Sequence, residues 1–413
     1  PVPTAEPTSE PVPTAEPTAE PVPEPSVTPG SFLETFDGNP SAPLPFVSPR
    51  WDVTVHSRDV GTWDEIEPMD ADHGPDCSPP PATHRITAHE DTVFICRNHM
   101  MTAINASGYG LIYLTPNHLV DFSQGEAVIR FDMSTLRKTD RDWIDLWITP
   151  PEDHLQLPLI DWMPDLSGEP RNAVLISMNM SRDSGAFEAS VVRDFERDKL
   201  PSKWWEGYDN FLEPAAMRRD TFELRLSRDH IKFGMPDYDF WWVDEPIEDL
   251  GWDRGTVQFG HHSYTPTKDC AGCGPTTWHW DNISIAPAIP FTMQRADQRT
   301  ATREAPTVTF AQPAIEGAQL RFAGIGPDLA VSFDGGQSWQ PARRQPQESN
   351  NDDTFSSYMM PIPAGTTAVQ FRGEEWYAAD WRVQSISWWQ MPNRYLAAAG
   401  PPLYQSFLPR VRR

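Results

Sequence analysis

The feature that most constrains this chain is a period of two. In Thr221-Phe-Glu-Leu-Arg-Leu-Ser, apolar Phe222, Leu224 and Leu226 alternate with Glu223, Arg225 and Ser227. That is the signature of a strand with one face in a core. Ser227, Arg228 and Asp229 read as a turn into a second strand with Ile231 and Phe233. Gly255-Thr-Val-Gln-Phe-Gly-His-His-Ser-Tyr and Thr277-Trp-His-Trp-Asp-Asn-Ile-Ser-Ile alternate in the same way. So do Glu126 to Met133, Asp142 to Ile148, Ala173 to Met180 and Ala186 to Val192. Runs with a helical period are few, and Gly and Pro punctuate the rest. The fold class is therefore all-β, built as sandwiches.

Both ends of the chain differ from this pattern. Residues 1–30 are a near-repeat of Pro-Val-Pro-Thr-Ala-Glu-Pro-Thr-Ser-Glu and contain no large apolar residue. Such a segment cannot bury a core and reads as a disordered, extended Pro-rich spacer. Residues 287–305 carry Pro290 and several charges and read as a linker. From Thr307 a second alternating set begins: Thr307-Val-Thr-Phe, Ala318-Gln-Leu-Arg-Phe, Leu329-Ala-Val-Ser-Phe, Thr367-Ala-Val-Gln-Phe and Trp381 to Trp388. Asp334-Gly335-Gly336 marks a hairpin turn. The expected organisation is a spacer at 1–30, a large sandwich at 31–286 and a linker at 287–305. A smaller accessory sandwich at 306–391 and a basic, apolar tail at 392–413 follow.

The formal charge of −26 over 413 residues argues against nucleic-acid binding. No apolar run reaches the ~20 residues of a membrane helix. Pro1, without an initiator Met, suggests a processed chain. The four cysteines, Cys77, Cys96, Cys270 and Cys273, are expected as disulfides, Cys77–Cys96 and Cys270–Cys273, in an extracellular or cell-surface protein. The rival reading is zinc at Cys270 and Cys273 with His261 and His262, or at those histidines with His279.

The order of strands between Phe32 and Ile285 resembles the concanavalin A-like lectin/glucanase superfamily. The opening Phe32-Leu-Glu-Thr-Phe-Asp-Gly, the late hairpin near Thr221 and the closing Asp281-Asn-Ile carry the resemblance. It implies a jelly roll and a glycan partner. It also implies a structural calcium between first and last strands, for which Asp37 and Asp281 would supply carboxylates. In laminarinase-like members the catalytic strand carries Glu-x-Asp-x-(x)-Glu, two carboxylates about 5 Å apart acting as nucleophile and acid/base. Here Asp142-Trp-Ile-Asp-Leu-Trp-Ile matches only the middle position, by Asp145. Trp143 and Trp147 share its face, and neither can attack or donate a proton at a useful pKa.

The expected ligand-binding residues are thus Trp143, Asp145 and Trp147, extended by Tyr238, Trp241 and Trp242 of the acidic-aromatic loop Asp237 to Pro246. The expected activity is lectin-like and non-catalytic. The enzyme alternative is a glycoside hydrolase or polysaccharide lyase using Asp142, Asp145 or Glu223. The structural alternative is a self-assembling subunit of a surface layer or fibre, of bacterial type.

Overall fold

The computed structural model describes residues 30–37, 44–46, 48–58, 92–96, 98–104, 109–135, 142–158, 168–179, 186–203, 220–264, 276–296, 300–325, 329–345, 356–373 and 381–390. The Pro-rich spacer, Cys77, Cys270, Cys273, the side chain of Cys96 and the C-terminal tail lie outside the described residues. Among those that are described, every named element is a strand except the 3₁₀ turn Pro236–Tyr238.

Two nine-stranded antiparallel sheets face each other in a jelly-roll sandwich. The first runs Phe240–Pro246, His230–Met235, Asp220–Leu226, Ala127–Thr135, Thr276–Ala286, His99–Ile104, Thr92–Cys96 and Leu44–Pro45. Phe32–Glu34 pairs with Thr276–Ala286 in that sheet. The second runs Glu196–Lys199, Ala186–Arg193, Ala173–Asn179, Asp142–Thr149, Arg254–Tyr264, Tyr109–Pro116 and Trp51–Arg58. His118–Asp121 joins it against Arg254–Tyr264.

The alternation read from sequence is what faces the core. Phe222, Leu224 and Leu226 are buried, as are Ile144, Leu146 and Ile148 from the opposite sheet. Phe222, Phe233, Phe187 and Trp242 lie nearly parallel, with Trp242 centred 5.7 Å from Phe187, 5.8 Å from Phe233 and 6.0 Å from Phe222. Each such ring contributes roughly 1.5–3 kcal/mol by leaving water.

A smaller sandwich follows, again of two antiparallel sheets. One orders Thr292–Arg295, Arg382–Gln390, Gln319–Ile325 and Ser356–Pro361, with Thr300–Thr302 beside Arg382–Gln390. The other orders Thr307–Thr309, Ala368–Arg372, Ala330–Ser332 and Gln340–Pro341. Leu320, Phe322, Tyr358, Phe371 and Trp388 fill the space between them. The Asp334 turn is closed by its own side chain. Asp334 Oδ1 accepts from the Ser338 amide at 2.9 Å, and Oδ2 accepts from the Ser338 hydroxyl.

Residues 287–305, expected as a linker, hold three short strands. Ala288–Pro290 pairs with His118–Asp121 of the large sandwich. Thr292–Arg295 and Thr300–Thr302 pair with Arg382–Gln390 of the small one. Each is only three or four residues long, too short to show a period amid the prolines and charges. Among the described residues, 287–296 run directly from a strand paired with the large sandwich to one paired with the small sandwich. Ile289, Phe291, Met293, Leu119 and Trp389 make a shared apolar joint there.

Candidate functional site

The Asp142–Thr149 strand is regular. It pairs without interruption with Ala173–Asn179 on one side and Arg254–Tyr264 on the other, from Asp142↔Ser263 to Thr256↔Thr149. No bulge turns a second carboxylate onto the Asp145 face, and the Asp142 side chain lies outside the described residues. Trp143, Asp145 and Trp147 therefore share the outer face of the second sheet. Their cross-strand neighbours are His262, Gly260 and Gln258 on one flank and Asn179, Ser177 and Leu175 on the other. A side chain at Gly260 would not fit, since a Cβ there would sit 2.5 Å from the Tyr113 ring. The missing side chain is what lets Tyr113 lie across the strand beside Asp145.

Asp145 is fully engaged. One oxygen accepts the Ser177 hydroxyl at 2.6 Å, and the other accepts a short hydrogen bond from Nδ1 of His262. Asp145 and His262 are both buried, at 1% and 0% exposure. The His262 ring lies flat against Trp143, centroids 5.8 Å apart and planes 8° apart. Trp143 stays half-buried, with one side of the indole backed by imidazole.

Trp147 is not an open platform. It is fully buried, and its Nε1 donates to the Tyr113 hydroxyl at 3.2 Å. Burial and the nearby Asp145 carboxylate push the Tyr113 pKa well up, so the hydroxyl is neutral. Leu157, Ala323 and Ile325 cluster with Trp147, so loop and small sandwich together cover it. The covering loop, residues 150–158, is tied to both bodies. Gln258 donates to the Leu155 carbonyl at 3.1 Å and Thr54 donates to Gln156 Oε1 at 3.0 Å. From the small sandwich, Arg321 donates to the Pro151 carbonyl at 2.7 Å, and the Gln156 amide donates to Ser357 at 2.8 Å. Arg321 also lies 4.1 Å from the centre of the Trp389 ring. Burial pulls its pKa down to about 9 and pushes that of Asp52 up, and Asp52 accepts from Ser387 at 3.2 Å.

The remaining expected residues are elsewhere. Trp242 is a core residue, 1% exposed, in the aromatic stack between the sheets. Tyr238 donates to Asp220 at 2.9 Å. Trp241 lies on the outer face of the first sheet, the opposite side of the sandwich from Trp143. The six residues expected to form one ligand site thus divide among two faces and the core. Strand alternation separates Trp241 from Trp242, and the sheet order separates both from Trp143.

Glu223, named for the enzyme alternative, is buried between two arginines, Arg130 and Arg225, which hold its pKa low against burial. The histidines do not converge. His261 meets Thr102 at 3.0 Å inside the sandwich, His262 faces outward on the second sheet, and His279 meets His99 at 2.7 Å on the first. For calcium, Asp281 Oδ1 accepts the Asn282 amide at 2.8 Å while Asp37 sits on an exposed turn. Among the described residues no three His, Cys, Asp or Glu side chains gather in one group.

Sequence reasoning missed Tyr113, Ser177 and the covering loop. Leu155 and Leu157 between prolines were the available signal, because two leucines in a loop need something to lie against.

No family model matches the chain, and no curated protein matches it. Solved structures similar to it are glucanases and lectin carbohydrate recognition domains. A β-glucanase of Bacillus licheniformis aligns at 11% identity and TM-score 0.35 over 63% of this chain and 99% of its own. A putative β-glucanase of Mycobacterium abscessus aligns at 11% identity and TM-score 0.36 over 62% and 98%. The metal-free Emp46p carbohydrate recognition domain aligns at 8% identity and TM-score 0.34 over 48% and 86%. At these scores the fold rests on the sheet order described above.

Proposed function

We propose that this is a non-catalytic, lectin-like glycan-binding protein whose polysaccharide ligand meets the Trp143 end of the second sheet. The observation that carries the reading is the Trp143–His262 stack. An indole left half-open, supported by a ring that a buried carboxylate holds in place, is a rigid apolar plane. Sugar rings present flat C–H faces to such a plane. We place the protein outside the cell or at its surface, with residues 31–286 as the binding module and 306–391 as its accessory.

Hydrolysis by paired carboxylates is the poorer fit. Asp145 has both oxygens occupied. Glu188, opposite Ser177 and so two strands away, is held ionised by Lys199 and Arg197 despite partial burial. Glu188 is therefore not poised as a protonated acid, and Asp145 has no carboxylate partner on its own strand face. The test is glycan-array binding by the full chain and by Trp143→Ala. A glycan bound by the native protein and weakened at least about tenfold in the variant, at unchanged thermal midpoint, supports the reading. Equal binding by both rejects it.

A further inference from the structure

We propose that the outer face of the first sheet, around Trp241, is a second binding surface, one for polysaccharide carrying carboxylates. It is independent of the Trp143 reading and lies on the other side of the sandwich.

The surface is built by a β-bulge. The pairing of His230–Met235 with Phe240–Pro246 shifts register between Phe233 and Gly234, which sets Trp241 opposite Gly234. A Cβ at Gly234 would lie 2.9 Å from the Trp241 ring and 2.1 Å from the Phe240 carbonyl. Glycine there is what allows the indole to lie down on the neighbouring strand. Two cations border the ring: Lys232 at 4.3 Å and Arg225 at 5.6 Å from its centre.

The next strand adds Arg130, opposite Glu223. Glu223 is wholly buried beneath the two guanidinium groups, accepting from Arg130 Nε at 2.8 Å and from Arg225 Nε at 2.6 Å. Arg130 and Arg225 remain 49% and 39% exposed. Glu223 therefore fixes their orientation from below; Arg225 also lies 3.6 Å from Glu126 through Nη1, and the outer N–H edge of Arg130 faces solvent. Asp244 pairs with Lys232 at 2.8 Å and also meets Nε2 of His230 at 3.1 Å.

What reaches a ligand is an indole on one strand and the oriented guanidinium edge of Arg130 three strands across. A guanidinium edge matches a carboxylate with two parallel hydrogen bonds. The indole matches the C–H face of the sugar that bears it. Because the groups are pre-oriented, little side-chain entropy is lost on binding. A neutral glycan would use only the indole. A sulfate also accepts from a guanidinium fork, so a sulfated glycan is the control for charge alone.

The experiment is titration of the full chain with polygalacturonate, with dextran and dextran sulfate alongside. Polygalacturonate is expected to bind, with affinity falling as salt rises. Trp241→Ala should weaken it at least about tenfold, and Arg130→Lys, which keeps a charge on Glu223 but loses the fork, several-fold. Trp143→Ala should leave it unchanged. If Trp241→Ala does not fold, Arg130→Lys and Lys232→Gln decide. The proposal is overturned if polygalacturonate does not bind, or if these variants bind it as the native chain does. It is also overturned if dextran sulfate binds equally well and ignores Trp241→Ala, which would mean charge alone. Loss of polygalacturonate binding in Trp143→Ala would move the ligand to the other face and overturn it too.

Discussion

His262 lies parallel to Trp143, 8° between their planes, while its Nδ1 proton goes to Asp145. The indole's orientation thus depends on a carboxylate it does not touch in that bond. Asp145→Asn keeps the shape but weakens the hold on the imidazole. It should reduce glycan affinity several-fold and lower stability by about 1–3 kcal/mol. His262→Ala leaves Asp145 buried with only Ser177 and should cost about 3–5 kcal/mol. Denaturant titration of the two variants checks the order; equal losses would refute it.

Trp147→Ala tests the burial of the second indole. It empties a site enclosed by Tyr113, Leu175, Leu157 and Ala323 and should cost about 3–5 kcal/mol. Any loss of glycan binding should be recovered at low temperature, where the variant is folded. Persistent loss in a folded variant would make Trp147 a ligand contact after all.

Turnover of laminarin, lichenan and agarose should be absent on oligosaccharide analysis. Asp145 is the one carboxylate the Asp142–Thr149 strand offers on its outer face, and it is bonded to Ser177 and His262. Turnover that disappears in Asp145→Asn would show a carboxylate pair that strand regularity hides.

Stability should depend on acid in a way that two variants separate. Burial lowers the His118 pKa from 6.5 to about 4 and puts His154 well below 6.5. The unfolded chain then binds more protons, so these groups lower stability as pH falls from 6.5 toward 4. Burial raises Asp153 from 3.8 to about 6, against the pull of the Asn172 hydrogen bond. Here the folded chain binds more protons, so stability falls as pH rises from 3.8 to about 6. The two trends oppose each other between pH 4 and 6. Asp153→Asn should make acid loss steeper across that window, and His118→Gln should make it shallower. Thermal midpoints against pH that are parallel for all three proteins would refute both assignments.

Much of the fold was legible in the sequence because alternation reports which side of a strand meets apolar neighbours. Phe222, Leu224, Ile144 and Ile148 obey it directly. The outer faces were not legible by that rule. Trp143 and Trp147 share one face of one strand and read alike, yet one is half-open and the other is sealed by Ala323 and Ile325, far along the chain. Nothing local distinguishes them. Likewise Trp241 and Trp242 read as one aromatic pair, and a strand sends them to opposite sides.

The covering loop, residues 150–158, begins where the Asp142–Thr149 strand ends, and the small sandwich grips it through Arg321, Gln345 and Ser357. The two sandwiches therefore cannot be cut apart cleanly. A chain ended near Pro287 would expose Leu119, Leu157 and Trp147 together, a sticky patch rather than a finished surface. For anyone dividing this protein for expression, the unit to keep whole is the pair.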